Sequence, residues 1–228
     1  PSDAYLRLAL IPGLGPLTVQ RLLEQVDEPQ AIFALSMDQL RCCDGVGGER
    51  ARRIADPRGA ELMATERSEC HRLGIQLVTL ADEAYPAAFR QLAEPPLALW
   101  LRGEYQRRDR LALAVVGPRR PSAYGHRQAA RLSRDLGRIG ATVISGLARG
   151  IDTVAHRAAL EGDGRTIAVL GSGFNFLYPS ENSDLAHHIC QGRGAVISEY
   201  PLNTRPSPGT FPRRNRLVAA LGLGVLVI

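Results

Sequence analysis

From residue 111 onward the chain alternates between two patterns, and this alternation limits the fold more than any other feature. Short apolar runs at 111–116, 141–145, 165–170, 194–198 and 223–228 are separated by helical patterns near 124–138, 150–161, 181–191 and 213–221. Strands joined through helices of that length form βαβ units, and such units build a parallel sheet covered on both faces. Two earlier runs, at 75–80 and 97–101, are apolar and β-branched enough to extend the sheet at one edge. The expected fold class is α/β. In open sheets of this kind ligands bind outside the carboxyl ends of the strands, at the topological switch point. The turns that follow the strands are therefore where function is to be sought.

Four such turns stand out. The first is Gly117-Pro118-Arg119-Arg120-Pro121-Ser122, and the second Ser145-Gly146-Leu147-Ala148-Arg149-Gly150-Ile151-Asp152. The third opens on Gly171-Ser172-Gly173 and runs to Tyr178-Pro179-Ser180-Glu181-Asn182. The fourth begins at Ser198-Glu199-Tyr200-Pro201 and brings its basic groups later, at Phe211-Pro212-Arg213-Arg214-Asn215-Arg216. Glycines let a ligand approach the backbone, and arginines supply a planar fork for phosphate. The second turn passes from a strand into a helix, where backbone N–H groups without helical partners suit an anion. The spacing thus predicts one phosphate pocket assembled from several turns, with tight-turn geometry as the plain alternative for any single glycine.

Other chemistries fit less well. The dinucleotide fingerprint needs Gly-x-Gly-x-x-Gly after the first strand, and only Gly117 is there. All 28 basic residues are arginine, so a Walker loop with its lysine is impossible. No Gly-x-Ser-x-Gly elbow is present. Asp152 and His156 stand at i, i+4 on one helical face. That spacing allows a carboxylate–imidazole hydrogen bond, either for general-base work or to anchor the helix. His187 and His188 are adjacent and face different sides of a helix, a poor metal pair. Cys42, Cys43, Cys70 and Cys190 form no C-x-x-C pair and read as reduced thiols of a cytosolic protein. No apolar run approaches a membrane span. A formal charge of +5 leans mildly toward a polyanionic partner.

Residues 3–60 read as helical and self-contained. Ile11-Pro12-Gly13-Leu14-Gly15 and Cys43-Asp44-Gly45-Val46-Gly47 share one pattern, a Gly-x-Gly turn entering a helix. This is the helix-hairpin-helix pattern, whose turn can offer N–H groups to a nucleic-acid phosphate or serve a purely structural role. A domain boundary is expected at 72/73. The chain ends on an apolar run typical of a buried strand, so continuation beyond residue 228 is expected.

Taken together these residues resemble the DprA/Smf family of DNA-processing proteins. The most specific signature is Ser145-Gly-Leu-Ala-Arg-Gly-Ile-Asp-x-x-Ala-His156. Thr166-Ile-Ala-Val-Leu-Gly-x-Gly173, Tyr178-Pro-x-x-Asn182, Ile197-Ser-Glu199-x-Pro201 and Phe211-Pro-x-Arg-Asn-Arg216 follow in family order. The resemblance covers roughly residues 75–228 and, more loosely, an N-terminal SAM-like domain over 1–72. It implies an extended Rossmann-like fold over 73–228 that binds single-stranded DNA. It further implies loading of the RecA recombinase during natural transformation, a cytoplasmic homodimer, and no cofactor, metal or enzymatic turnover. Carried over residue by residue, the phosphate pocket uses Gly117, Arg119, Ser145, Gly146, Arg149, Gly171, Ser172 and Gly173. Arg214 and Arg216 are read as extending a basic groove, with Phe211 as a stacking platform or a core residue. Two departures stand out: Pro118 where the family has Ser, and Ser180 where many relatives have Lys. The competing reading is a nucleotide-handling enzyme similar to the phosphoribohydrolases of the lysine-decarboxylase-like group, with Glu199 as a stand-in for their catalytic Glu. A pure scaffold is a third.

Overall fold

The computed structural model describes residues 1–228, which divide into two compact units, Pro1–Leu99 and Trp100–Ile228. The expected boundary at 72/73 coincides with the end of the helix Gly59–Arg72. The segment after it stays with the first unit because Leu97 is buried in the same apolar cluster as the N-terminal helices.

The first unit is built on an internal repeat. α1 (Ser2–Ala9) and α2 (Pro16–Leu23) form one helix–turn–helix; α3 (Met37–Cys42) and α4 (Gly48–Ala55) form another. Their turns carry the same backbone bonds. Leu14 N–H donates to Ile11 O at 3.1 Å in the first, and Val46 N–H to Cys43 O at 3.0 Å in the second. Gly13 and Gly45 take the left-handed conformation, at φ +78° and +88°, which costs a side chain-bearing residue dearly. Corresponding side chains meet in one core: Leu14 and Val46, Val19 and Ala51, Leu22 and Ile54 are all buried. Cys43 thus does the packing work of Ile11, and the absence of Pro at position 44 does not spoil the turn. Helix α5 (Gly59–Arg72), strand β1 (Gln76–Thr79) and the short α6 (Ala87–Arg90) complete the unit.

β2 (Ala98–Gly103) begins in the first unit and ends in the second. The second unit then alternates as its pattern predicts: β3 (Ala112–Val116), α7 (Ala123–Arg138), β4 (Thr142–Ser145), α8 (Ile151–Glu161), β5 (Thr166–Val169), α9 (Ser183–His188), β6 (Gly194–Ser198), α10 (Thr210–Leu221) and β7 (Val225–Val227). The strand order is β1-β2-β6-β5-β4-β3-β7. Pairing from β7 through β3, β4 and β5 to β6 is parallel, and β2 pairs with β6 antiparallel. The sheet is therefore mixed α/β and mostly parallel. The helix expected over 181–191 is shorter than its pattern. It stops at His188, and Gln191 and Gly192 leave helical geometry.

Registers place Val115, Ser145 and Ala168 on one face, with Val143 two residues back on the same side. Val115 and Val143 pack against Ala129 of α7 and Ile151, Ala155 and Ala159 of α8. Ala168 and Val196 pack against Leu185, Ala186 and Ile189. Each crossover from β3 to β6 steps the same way along the sheet. The last, β6–α10–β7, steps back past β3; a right-handed crossover in that direction carries α10 over the opposite face. The reversal puts the topological switch point between β3 and β7. No helix is long and apolar enough to cross a membrane.

Away from that point, a buried ion pair ties the segment before β3 to the start of β5. The Arg165 guanidinium donates to both oxygens of Asp109 at 2.7 and 2.9 Å, and to Glu104 O at 2.6 Å. Thr142 Oγ1 and Gln106 N–H complete the carboxylate's partners at 2.8 and 2.7 Å. Both side chains are nearly sealed from solvent.

Candidate functional site

The turns after β3, β4 and β5 meet at the carboxyl ends of these strands, and the second turn is the frame for the others. Gly150 caps α8 at φ +78°, and a Cβ there would strike the Pro118 carbonyl of the first turn. Ile151 N–H donates to that same carbonyl at 3.3 Å. Only glycine allows the two turns to lie this close.

The polar groups of the second turn are largely taken from within. Asp152 Oδ2 accepts from Gly146 N–H at 3.1 Å and Ala148 N–H at 3.3 Å. Burial raises the Asp152 carboxyl above its ordinary pKa, while Arg214 and the two N–H groups pull the other way. On the carbonyl side, Arg214 Nη1 donates to Gly146 O at 2.5 Å and to Val169 O. A Cβ on Gly146 would run into this guanidinium. Asn182 Nδ2 holds Leu147 O at 2.9 Å and Thr153 Oγ1 at 2.8 Å, and Thr153 in turn donates to Ala148 O. Leu147 sits at φ +57°, a conformation that needs such support in a non-glycine residue.

Several of the expected residues are engaged within the protein itself. The N–H groups of Gly146 and Ala148 already hold a resident carboxylate. The Ser145 hydroxyl donates to Val115 O at 2.6 Å and is fully buried. Gly173 N–H donates to Thr204 O at 2.9 Å, and Ser172 is buried beneath Ser198, which donates to its carbonyl. Arg214 is only 4% exposed and is part of the frame, not of an exposed groove. Its burial lowers its pKa. Arg216 is held by an ion pair with Glu199. Asp152 and His156 share a helix face without bonding each other. His156 Nδ1 meets Thr166 Oγ1 at 2.6 Å, and Thr166 donates onward to Val143 O. The imidazole therefore carries its proton on Nδ1.

What remains on the surface is a smaller set. Arg119 is exposed, forms no ion pair, and has its Cζ 5.5 Å from the Phe211 ring centroid. Phe211 lies half-buried over Gly171, whose missing Cβ leaves room for the ring, and Tyr178 lies 5.8 Å from it centroid to centroid. Arg149 is exposed and paired with Glu181. Three clefts follow one another here. One of about 350 Å³ lies at the switch point, lined by Gly117, Arg119, Asp152, Phe211, Arg214 and Val225. A crevice beside it is lined by Arg119, Gly146, Arg149, Tyr178 and Phe211. Past Tyr178 an open cleft of about 600 Å³ includes Phe174, Phe176 and Arg205, with the Arg205 Cζ 4.6 Å from the Phe176 ring centroid. Residues shared between neighbouring clefts make them one track of arginine and aromatic side chains.

The structure thus brings Gly117, Arg119, Gly146, Arg149, Gly171 and Phe211 to one place. It leaves Ser145, Ser172 and Gly173 underneath and Arg216 to the side. Tyr178, Phe176 and Arg205 belong to the track and were not singled out from sequence. Tyr178 stands in the Tyr-Pro-x-x-Asn run, where an exposed aromatic among turn residues was the available signal. No group of His, Cys, Asp and Glu side chains is arranged to hold a metal ion.

Known proteins resemble this chain in sequence and in fold. Residues 76–228 match the family model described as DNA recombination-mediator protein A. Protein Smf of Escherichia coli is 36% identical over all of this chain and 59% of its own length. The DNA processing protein DprA of Bacillus subtilis is 35% identical over 68% of this chain and 52% of its own. The chain spans little more than half the length of these curated relatives. Among solved structures, DNA processing protein A from Streptococcus pneumoniae superposes with a TM-score of 0.76 at 30% identity, covering 98% of this chain and 75% of that one. A Helicobacter pylori DNA processing protein A, described by its single-stranded DNA binding mode, gives 0.59 at 36% identity, covering 67% and 68%.

Proposed function

Because the chain belongs to the DNA recombination-mediator protein A family, we propose that it binds single-stranded DNA along the track at the carboxyl ends of β3, β4 and β5. The observation that carries this reading is the meeting of Arg119, Phe211 and Tyr178 at one cleft, with the Arg119 guanidinium 5.5 Å and the Tyr178 ring 5.8 Å from the Phe211 ring centroid. An unpaired guanidinium binds phosphate as a fork, and aromatic faces stack bases without regard to sequence. Single strands offer both groups at once; duplex DNA hides its base faces.

In this reading Arg119 and Arg149 are the phosphate contacts and Phe211 and Tyr178 the stacking surfaces. Asp152, Arg214 and Asn182 hold the frame. The wider role is a cytoplasmic, homodimeric mediator that shields incoming DNA during natural transformation and loads RecA on it. The first unit, with its two matching turns, is read as a SAM-like helix-hairpin-helix domain over 1–72, and 73–228 as the Rossmann-like DNA-binding domain. The chain acts as a binding protein without turnover. An enzyme of phosphoribohydrolase type would need Glu199 as a working carboxylate, and it is engaged with Arg216. His156, the other candidate base, is buried and bonded to Thr166.

Fluorescence anisotropy with a labelled oligo-dT of about 30 nucleotides tests the proposal, at two salt concentrations, with duplex DNA and a nucleoside monophosphate as competitors. Salt-sensitive binding that neither competitor displaces supports it. Loss of binding in a well-folded Arg119→Glu variant locates it at the track. Displacement by the monophosphate at low concentration would transfer the case to the nucleotide enzyme, and normal binding by Arg119→Glu would refute this placement of the site.

A further inference from the structure

The cations at the track are not equally available. Arg214 is committed to carbonyl oxygens and Arg119 has no carboxylate partner. Arg149 is held by Glu181 through two parallel bonds, Nε to Oε1 at 2.5 Å and Nη2 to Oε2 at 2.8 Å. That is the edge of the guanidinium a phosphate would use. The pair joins the turn after β4 to the turn after β5, and Arg149, Tyr178 and Pro179 line the same crevice.

We infer that Glu181 is a resident competitor for the nucleic-acid phosphate: it holds the binding fork of Arg149, yields it to the incoming backbone, and thereby sets the affinity of the site. The inference rests on the reading of the track as a single-stranded DNA site. With Glu181 in place the crevice offers one uncommitted guanidinium, Arg119; with Glu181 displaced it offers two.

Two observations make the exchange feasible. Arg149 and Glu181 are 54% and 53% exposed, so water and salt screen the pair and little holds it closed. The other resident carboxylate differs: Asp152 is buried and held by backbone N–H groups, and no phosphate can replace it without dismantling the turn. The hydrogen bond from Arg149 keeps the Glu181 carboxyl below its usual pKa, so it stays charged wherever the phosphate is charged. The turn thus has one fixed carboxylate that shapes it and one exchangeable carboxylate that guards it.

Binding of labelled oligo-dT by the full chain tests the inference. Glu181→Gln should bind about three- to ten-fold more tightly than the unaltered chain at low salt, the range that a screened surface pair plus one lost repulsion supports. In an Arg149→Gln background the same change should gain less than about two-fold, because no fork is left to release. Asp163→Asn removes an equal charge at the opposite end of β5, where Asp163 pairs with Arg193, and serves as the control for net charge. Equal or weaker binding by a folded Glu181→Gln would overturn the inference, as would a gain that persists without Arg149 or is matched by Asp163→Asn. If the unaltered chain fails to bind oligo-dT, the function proposed above fails and takes this inference with it. If the unaltered chain binds and Glu181→Gln gains nothing, this inference alone falls.

Discussion

Acidification should destabilise the protein through one residue, and the effect can be isolated. His156 is fully buried on α8 with Nδ1–H directed at Thr166, and its Nε2 has no hydrogen-bond partner. Adding a proton there would bury a charge with no acceptor, close to the positive Arg214. Burial first, and Arg214 second, push its pKa from 6.5 down to about 3. The unfolded chain takes up this proton near pH 6.5 and the folded chain does not. Stability from this residue is therefore complete above pH 6.5 and is lost as pH falls from 6.5 toward 3. At pH 5 the unfolded state has gained about 1.5 pH units of proton binding that the folded state lacks, or about 2 kcal/mol.

Carboxylates also weaken the fold in acid, so the informative quantity is a difference between variants. His156→Asn keeps a donor near the position of Nδ1 and cannot titrate. Urea unfolding can be followed through the single tryptophan, Trp100, which is fully buried in β2. Between about pH 7.5 and pH 5 the unaltered chain should lose about 2 kcal/mol more than His156→Asn. The other four histidines are exposed and common to both proteins. Equal losses in the two proteins would refute the reasoning, since they would mean that the folded state admits the proton at His156.

Other perturbations test separate parts of the structure. Asp109→Ala should cost about 3–5 kcal/mol, because it leaves the Arg165 guanidinium buried without its carboxylate. Asp109→Leu combined with Arg165→Met should recover much of that loss, and thermal unfolding would show both. Gly173→Ala should lower the melting temperature sharply, since its Cβ would run into the carbonyl oxygens of Pro201 and Leu202. Of the four cysteines only Cys42 is exposed, and burial raises the pKa of Cys43, and of Cys190 to about 11. A disulfide reagent at neutral pH should therefore titrate one thiol quickly in the native protein and all four after denaturation.

Much of the fold is legible in the sequence because buried parallel strands cannot hide. All seven expected strands form within a few residues of their apolar runs, and the central β4, β5 and β6 are buried throughout. Helical signals are weaker where a turn of helix competes with its exit. His187 and His188 fit a helix, but Gly192 at φ +81° marks where the chain has already turned toward β6. The packing of Leu97 with α1–α4 rests on contacts that no local pattern reveals, although β1 and β2 both belong to the sheet, as their apolar runs suggest. At the candidate site, glycine and arginine positions mark turns that the fold brings together. What they did not reveal is which polar groups the protein satisfies for itself. Arg214 and Arg216 look alike in sequence, yet one lies beneath the Gly146 turn and the other is bound to Glu199.

That distinction bears on how the Ser-Gly-Leu-Ala-Arg-Gly-Ile-Asp stretch works. A strand-to-helix turn exposes N–H groups on one side and carbonyl groups on the other, and either set left unpaired in a dry site is costly. Here a carboxylate from the first turn of α8 takes the N–H side, and a guanidinium from α10 takes the carbonyl side. Neither charge reaches solvent to any extent, and neither can leave without exposing the groups it satisfies. The turn is thereby fixed before any ligand arrives. Fixing it costs the turn its own N–H groups as an anion site. In exchange, Arg149 at its apex and Arg119 on the turn packed against it are held at the surface of a rigid support. On the proposed reading, binding would order two side chains instead of a loop, which would keep the entropic cost of capturing a flexible polyanion low. On the proposed reading the stretch is the mount for the contact surface, and the contacts are assigned to Arg149, which it carries, and Arg119 on the adjoining turn.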